Sequence, residues 1–314
     1  MNIFVSGASG IVGYGIVRSL IKNDKIKVYG GTIYDSSPAN LFCHKVIVLP
    51  KTTASNYIDS LISVIKEFKI DILIPSIEID MQVWNERRSE LESTNAIVAL
   101  NSFDLIKICE DKYLFYKLVR SSFPEITIPT ETLTEMSEYT FPCIIKPRKG
   151  FGSKGIKKFK SKTEMQSHLK EIPENYIIQP IIGNDDEEYT VGAFFDKSSN
   201  LIDYVVFKRK LSSEGFTNEA VVCDFDFNLT LVKLASFLHP VGSTNFQFRI
   251  ENSIPYLLEI NPRISSSTNM RTLIGYNEAL KMVDLFYHNV IPKKSDVSSF
   301  FNKKLMRYTE EKII

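Results

Sequence analysis

The feature that most restricts the fold of this chain is a pair of segments in which polar and apolar residues alternate. They are residues 245–249 (Asn-Phe-Gln-Phe-Arg) and 257–263 (Leu-Leu-Glu-Ile-Asn-Pro-Arg). A period of two is typical of β-strands whose two faces have different surroundings. A turn midway between the segments would make them an antiparallel hairpin with Gln247 opposite Glu259. Asn261 lies two residues after Glu259, so all three oxygen-bearing side chains are expected on one face.

One carboxylate and two amides on a strand face predict a magnesium site, because magnesium takes oxygen ligands and completes its shell with waters and phosphates. Arg263 follows on the same edge and could contact a phosphate. The alternative is a polar sheet face exposed to water. It is disfavoured because apolar residues alternate with the polar groups throughout.

A second informative segment follows an apolar strand that ends near Lys146. It contains three cationic side chains, a serine and glycines at positions 150, 152 and 155. Backbone amides of a glycine-rich loop, together with cations, can fold over a polyphosphate. A lysine fixed on a strand contacts phosphate as a point charge. The segment therefore predicts a phosphate-binding loop, with a solvated basic hairpin loop as the alternative.

The chain changes character near residue 100. Up to about residue 95, short apolar strands alternate with amphipathic helices, for example the helix predicted over 57–68. That order indicates a parallel sheet joined by right-handed crossovers. After residue 141, strands follow one another with little helix between them, which indicates antiparallel sheet. The predicted fold class is thus α/β followed by α+β.

The first strand leads into a glycine turn, with Gly7, Gly10 and Gly13 before a helix. This context suits a dinucleotide-binding turn, and the spacing resembles extended short-chain dehydrogenases. Those enzymes use a Tyr-x-x-x-Lys pair, whose spacing Tyr113 and Lys117 reproduce. The acidic residue expected about 20 residues after the glycines is not clearly placed. An NAD(P)-dependent dehydrogenase therefore stays an alternative to a tight turn that faces a substrate.

Composition excludes several classes of protein. Lys plus Arg number 38 and Asp plus Glu number 37, a net charge of +1, so no overall field favours nucleic acid or an anionic membrane. The four cysteines have no spacing typical of a zinc site. The N-terminal residues lack the pattern of a signal peptide, and no apolar run reaches 18 residues. A cytoplasmic protein without nucleic-acid or membrane partners is expected.

On the paired hairpin motifs and the Lys-Pro-glycine segment, the chain resembles the ATP-grasp superfamily. Within it, the chain is similar to the carboxylate-activating half of the carbamoyl-phosphate synthetase large subunit and its stand-alone relatives. The resemblance implies a pre-ATP-grasp (Rossmann-like) domain over residues 1–100. It also implies a small ATP-grasp subdomain over 101–175 and a large one over 176–314, with ATP clasped between two antiparallel sheets.

The resemblance also implies roles for individual residues. ATP would be bound by Lys112, Lys146, Arg148, Ser153, Gln179, Pro180, Ile181 and Glu188. The metal ligands would be Gln247, Glu259 and Asn261, with Arg263 and Arg209 as catalytic cations. Substrate contacts are expected from loops of the first domain and from the segment after the metal motif, at Gly7, Gly10, Asp35, Glu78, Ser265 and Arg271.

The implied reaction is ATP-dependent activation of a carboxylate as an acyl phosphate, which an amine then captures. The implied cofactors are ATP and Mg²⁺, for which Mn²⁺ could substitute, and the partners are a small-molecule carboxylate and amine. A homodimer is left open. A non-catalytic ATP-binding protein is a further alternative.

Overall fold

The computed structural model describes residues 1–134, 140–150, 155–212 and 215–313. Within them, a five-stranded parallel sheet precedes a four-stranded and a six-stranded antiparallel sheet. The predicted combination of α/β and α+β architecture is confirmed. Ser153, a predicted ATP contact, lies outside the described residues.

The first part of the chain is the parallel sheet with its helices. Its elements are β1 (Asn2–Val5), α1 (Ile11–Leu20), β2 (Lys27–Thr32), β3 (Lys45–Val48), α2 (Tyr57–Phe68), β4 (Ile72–Ile74), α3 (Glu78–Glu86), α4 (Arg88–Glu92) and β5 (Ile97–Val98). The strand order is β3-β2-β1-β4-β5. The connections therefore change direction between β1 and β4, which is where open parallel sheets bind ligands at the carboxyl ends of their strands.

Both faces of the parallel sheet are buried, as its apolar strands require. On one face, aromatic and aliphatic side chains of α2 and α3 pack around the fully buried Trp84. On the other face, α1 packs against residues near the C-terminus, including Ile264 and Met282. Gly15 in α1 allows this approach, because a Cβ atom there would lie 2.6 Å from the methyl group of Thr268. The first domain is thus packed against the sheet that carries the predicted metal ligands.

A helical pair and the four-stranded sheet come next. The elements are α5 (Phe103–Cys109), α6 (Lys112–Ser122), β6 (Glu131–Thr132), β7 (Cys143–Pro147), β8 (Lys157–Phe159), α7 (Lys162–His168) and β9 (Tyr176–Pro180). The strand order is β6-β9-β7-β8. The predicted boundary between residues 175 and 176 falls immediately before β9. A division after residue 180 would keep this sheet in one unit.

The six-stranded sheet forms the rest of the molecule. Its elements are β10 (Glu188–Phe195), β11 (Leu201–Leu211), β12 (Thr217–Cys223), α8 (Asn228–Leu238), β13 (Gly242–Glu251), β14 (Ile254–Asn261), α9 (Thr268–Leu273), α10 (Glu278–Phe286) and β15 (Lys304–Met306). The strand order is β14-β13-β10-β11-β12-β15. One face packs against α8 through an apolar core that contains Val191, Phe246 and Leu234. The opposite face carries the polar residues described below.

Among the helices of the described residues, none combines the length and the apolar character needed to span a membrane.

Candidate active site between three sheets

A cavity of about 1200 Å³ lies where the three sheets meet. The parallel sheet contributes the loops after β1 and β4, including Gly7 and Glu78. The four-stranded sheet contributes Lys146 and Gln179, and the six-stranded sheet contributes Glu259. A large concave site with a few converging polar groups is the usual form of a small-molecule site.

The hairpin at the floor of this cavity has the predicted register. Gln247 on β13 lies opposite Glu259 on β14, and Asn245 lies opposite Asn261. The turn at residues 252–253 has positive φ angles of 50° and 65°, as tight two-residue hairpin turns require. The predicted pairing of Gln247 with Glu259 is therefore confirmed. Because residues directly opposite each other have neighbouring side chains, the four polar groups form one cluster.

Glu259 supplies the only formal negative charge of this cluster. Its carboxylate forms no ion pair or hydrogen bond with any residue that the structure describes. The described residues also contain no group of three or more acidic, histidine or cysteine side chains arranged for a metal. A cation bound here would therefore depend on one carboxylate, amide oxygens and groups from outside the chain.

The amide ligands predicted beside Glu259 differ in their surroundings. The Oε1 atom of Gln247 accepts a hydrogen bond of 2.9 Å from Nη2 of Arg209. An amide oxygen has two lone pairs, so one remains for a cation. Asn261 is buried, with 9% of its surface exposed, and it lines the cavity. This hard oxygen set fits a magnesium ion that keeps water and phosphate ligands.

Glu188 on β10 lies on the same sheet face but is paired with two arginines. Its Oε1 accepts from Nε and Nη2 of Arg209 at 3.0 and 2.6 Å, and its Oε2 accepts from Nη2 of Arg249 at 3.0 Å. Burial alone would raise the pKa of Glu188, but the two arginines outweigh it and hold the pKa below its ordinary value. Arg249 was not among the predicted site residues. The alternation of polar residues at positions 245, 247 and 249 could have identified Arg249 as a residue of this face.

Lys146 on β7 faces this cluster from the four-stranded sheet. Burial, helped by the positive charge of Lys112, lowers the pKa of Lys146 to about 8 against the opposing effects of Glu259 and Glu188. Lys112 and Lys146 both line a small adjoining cavity of about 30 Å³. The Nζ atom of Lys112 donates to the Gly150 carbonyl at 2.6 Å. Among the described residues, Lys112 therefore lines the small adjoining cavity and is not part of the wall of the large cavity.

The predicted adenine edge also borders the large cavity. Gln179, Pro180 and Ile181 all lie in its wall. The Nε2 atom of Gln179 donates to Oγ1 of Thr130 at 2.6 Å, which holds the amide against the residue before β6. The backbone after Gln179 therefore forms a fixed edge of the site.

Arg148 was predicted to contact ATP, but it is not among the described residues that line the large cavity. Its Nε atom donates to both carboxylate oxygens of Asp111 at 2.7 Å. Asp111 also caps α6 by accepting from the backbone amides of Tyr113 and Leu114. Although burial opposes the effect, Arg148 holds the pKa of Asp111 below its ordinary value. Arg148 therefore ties the end of β7 to the start of α6.

The wall from the parallel sheet is formed at the switch point between β1 and β4. Gly7 has a positive φ of 55°, and a Cβ atom there would lie 2.7 Å from Oγ of Ser76 in the loop after β4. Gly10 and Glu78 line the same region. Glu78 forms an ion pair with Arg263 across the cavity. The predicted phosphate arginine and a predicted substrate residue are therefore direct partners.

The remaining predicted substrate residues are distributed unevenly. Ser265 lines the cavity and is hydrogen-bonded to Ser267 at 3.0 Å. Asp35 is exposed and, among the described residues, does not belong to the cavity wall. Arg271 has 0% exposure and pairs with Glu278 beneath the sheet face. A direct substrate contact by Arg271 in this state is therefore excluded, because helices α9 and α10 cover it.

Tyr113 and Lys117 do not form a catalytic pair at the glycine turn. Both lie on α6, and the ammonium of Lys117 lies 4.4 Å from the centre of the Tyr113 ring. The guanidinium of Arg148 lies 5.3 Å from the same ring. Tyr113 is buried and does not reach the large cavity within the described residues.

Family models match most of the chain. The model of the PylC-like N-terminal domain matches residues 12–99, and the model of the ATP-grasp domain matches residues 109–225. A model described as ATP-grasp in the biosynthetic pathway with Ter operon matches residues 173–311. No curated protein matches the sequence.

Solved structures share the fold at low sequence identity. N5-carboxyaminoimidazole synthetase from Staphylococcus aureus with ADP is 17% identical, with a TM-score of 0.76 over 94% of this chain and 79% of that chain. L-amino acid ligase from Bacillus licheniformis is 14% identical, with a TM-score of 0.66 over 91% and 73%. The biotin carboxylase domain of Hydrogenobacter thermophilus 2-oxoglutarate carboxylase, in complex with MgADP, is 12% identical, with a TM-score of 0.67 over 89% and 69%.

Proposed function

Because the chain belongs to the ATP-grasp superfamily, we propose that it is an ATP- and magnesium-dependent ligase that joins a carboxylate to an amine. The observation that carries the proposal is the hairpin pairing of Gln247 with Glu259 beneath a large cavity, with Lys146 facing it from the other antiparallel sheet. The solved structures with ADP or MgADP have this architecture, which supports nucleotide binding in the same cavity.

The proposal assigns the adenine to the edge formed by Gln179, Pro180 and Ile181, where backbone groups can read its polar rim. Glu188, the first residue of β10, would accept a hydrogen bond from a ribose hydroxyl. A carboxylate offers about four acceptor sites; the arginines use both on Oε1 and one on Oε2, so Oε2 keeps one for a ribose hydroxyl. The phosphates would then extend toward Lys146 and the hairpin.

In the proposed reaction a carboxylate oxygen attacks the γ-phosphorus while the bond to ADP breaks. An amine then attacks the acyl carbon, phosphate leaves, and the amine loses a proton. Lys146 and Arg263 would hold the phosphate oxygens, and Arg209 would hold Glu188 and Gln247 in place. A bound magnesium ion would neutralise phosphate charge during the transfer. The chain's contribution is positioning and electrostatic stabilisation, so no protein nucleophile is needed.

The substrate wall is assigned to the parallel sheet. Gly7, Gly10 and Glu78 line the cavity from the parallel sheet, whereas the adenine edge comes from the four-stranded sheet, and Ser265 lines the same cavity. Arg263 would exchange its partner Glu78 for a phosphate oxygen when ATP is bound. The identity of the carboxylate and the amine is left to experiment.

The test is formation of ADP and phosphate from ATP with a panel of carboxylates and amines, together with the melting temperature in ATP and Mg²⁺. We expect ADP formation that requires both co-substrates, and its loss in Lys146→Met. Lys160→Met is the matched control, because Lys160 is exposed on the same subdomain. The proposal fails if ADP does not form with any pair and ATP with Mg²⁺ leaves the melting temperature unchanged.

Nucleotide binding without turnover in the same panel would instead indicate a non-catalytic ATP-binding protein. Binding of NAD(P)H, with activity lost in Tyr113→Phe, would indicate a dehydrogenase. The position of Tyr113 against Lys117, away from the glycine turn, disfavours that outcome.

A further inference from the structure

One carboxylate in the wall of the large cavity takes no part in the proposed nucleotide and metal contacts. Asp80 lies in the first turn of α3 with only 3% of its surface exposed, and it lines the cavity. Glu78, two residues earlier on the same helix, is paired with Arg263. Asp80 forms no ion pair with any residue that the structure describes. A buried charge without a counter-charge is unfavourable, so the surroundings of Asp80 indicate what it could bind.

Two hydroxyl groups hold the carboxylate of Asp80 in place. Oγ1 of Thr52, in the loop before α2, donates to Oδ1, and the hydroxyl of Tyr57 on α2 donates to the same atom at 3.3 Å. Nε1 of Trp84 donates to the hydroxyl oxygen of Tyr57 at 3.1 Å. Because an indole N–H can only donate, Tyr57 accepts from Trp84 and its own hydrogen is free for Asp80. The position of the carboxylate is therefore determined before any ligand binds.

The second oxygen of Asp80 has room for a donor from the cavity. The bonds from Thr52 and Tyr57 both end on Oδ1. Ser6, the residue after β1, contributes a further hydrogen bond to the carboxylate. Since each carboxylate oxygen has two acceptor sites, Oδ2 keeps at least one of them. Asp80 is therefore an oriented acceptor in the cavity wall with capacity for a ligand.

The charge of Asp80 is not compensated by the part of the protein that the structure describes. Burial raises the pKa of Asp80 above its ordinary value, and the hydroxyl hydrogen bonds oppose this effect only in part. No described lysine or arginine contributes to this pKa. Phe4 and Leu49, which belong to the same apolar core as Tyr57, also line the cavity. A cationic ligand would supply the missing counter-charge, whereas a neutral or anionic group would leave the carboxylate unpaired.

We propose that Asp80 binds an ammonium group of a substrate, and that this group is not the amine that reacts. An ammonium group supplies a positive charge and three donors, which suit an oriented and uncompensated carboxylate. An amine that attacks an acyl phosphate must be neutral, whereas a nearby carboxylate stabilises the protonated form. This assignment rests on the proposed function and narrows its substrates. Either the carboxylate substrate is an amino acid, or the amine substrate is a diamine.

Probes that differ by one amino group test the assignment in the wild-type protein. Propionate is compared with alanine and β-alanine, and butylamine is compared with putrescine. ADP formation is measured for each probe while the other co-substrate is saturating. We expect kcat/KM to be about tenfold to a hundredfold higher for the probe with the additional amino group, the range for a hydrogen bond to a charged group. The set that shows this preference identifies the substrate that carries the ammonium group.

Asp80→Asn should abolish the preference. The amide keeps an oxygen for Thr52 and Tyr57 but loses the charge, so KM for the amino-bearing probe should rise by the same factor while kcat is retained. The melting temperature should stay equal or increase, because a buried uncompensated charge is removed. Asp59→Asn is the matched control, since Asp59 is exposed on α2 and is not among the described residues that line the cavity. It should keep the preference.

A carboxylate with a purely structural role would give a different result, in which Asp80→Asn lowers the melting temperature and leaves both KM values unchanged. That result, or equal kcat/KM values within every set for the wild-type protein, would overturn the assignment and leave the proposed function intact. A fall in kcat without a change in KM would also overturn it. The wild-type comparison decides the matter if Asp80→Asn does not fold. If no combination of co-substrates yields ADP, the proposed function itself fails, and the assignment fails with it.

Discussion

Two carboxylates lie on the same face of the six-stranded sheet, and their surroundings are opposite. Glu188 is held by Arg209 and Arg249, with both oxygens occupied. Glu259 forms no ion pair with the described residues and faces Lys146 across the cavity. A carboxylate neutralised by two guanidinium groups attracts a cation weakly, whereas an unpaired one in a partly buried site attracts it strongly. We therefore expect Glu259, and not Glu188, to bind the metal ion.

The largest expected effect is that of Glu259→Gln on ATP turnover. Removing the only carboxylate of the hairpin cluster should reduce ADP formation by about a thousandfold, in the range found when one charge-stabilising group is lost from an active site. Steady-state ADP release measured at saturating ATP checks this. Glu174→Gln, an exposed substitution on the four-stranded subdomain, is the control. Turnover within tenfold of wild type would show that Glu259 does not hold the metal.

The second effect is on stability, for which the substitution of Glu188 should matter more than that of Glu259. Glu188→Gln leaves the buried Arg209 and the largely buried Arg249 without their counter-charge, and breaking such a pair costs about 3 kcal/mol of unfolding free energy. Glu259→Gln should leave the unfolding free energy unchanged or slightly higher, because it removes an unpaired carboxylate. Urea unfolding of the two variants side by side gives the answer. Equal losses of unfolding free energy in both variants would contradict the distinction between the paired Glu188 and the unpaired Glu259.

The third effect is a pH dependence from Lys146. Its pKa of about 8 in the nucleotide-free protein means that it is protonated below pH 8 and loses its charge above. A bound phosphate favours the protonated form, so nucleotide affinity should be constant below pH 8. Above it, affinity should fall by up to about tenfold per pH unit. ADP titrations from pH 6.5 to 9.5 measure this slope.

Lys146→Arg provides the control for the pH dependence, because a guanidinium keeps its charge over the whole range. The decline above pH 8 should disappear in this variant, whatever its affinity at neutral pH. A decline that persists unchanged in Lys146→Arg would assign the titration to another group.

The smallest expected effect concerns the ion pair between Glu78 and Arg263. In Glu78→Gln, Arg263 no longer has to leave a carboxylate in order to contact the γ-phosphate. The Arg263 and Glu78 side chains are only 11% and 18% exposed, and the net contribution of such a hydrogen bond is about 0.5–1.5 kcal/mol. A non-hydrolysable ATP analogue should therefore bind about threefold to tenfold more tightly. ADP, which lacks the γ-phosphate, should bind as before. Equal changes for both nucleotides would show that Arg263 does not discriminate between them.

Much of the architecture could be predicted from local patterns. The helix over Tyr57–Phe68 follows from residue periodicity. The pairing of Gln247 with Glu259 was predicted from a turn midway between the segments, but the structure reaches it through a register shift between Gln247 and Phe248. The strands β12 and β15 were not predicted. They are held by pairing with distant strands rather than by a strong local pattern. Arg249 and Asn245 follow the same alternation as Gln247. The alternation therefore predicts which sheet face they share, but not that they bind Glu188 and Arg271.

The sequence by itself determined most of the elements, the fold class and the side chains that share the hairpin face, because these depend on periodicity along one or two neighbouring segments. Only the tertiary structure decided which charged groups are already paired. Arg148 is engaged by Asp111, Arg263 by Glu78 and Arg271 by Glu278. All three arginines belong to motifs that predict ligand contacts. Whether such a cation faces a ligand, a carboxylate or the core depends on packing between elements far apart in sequence, which local patterns do not record.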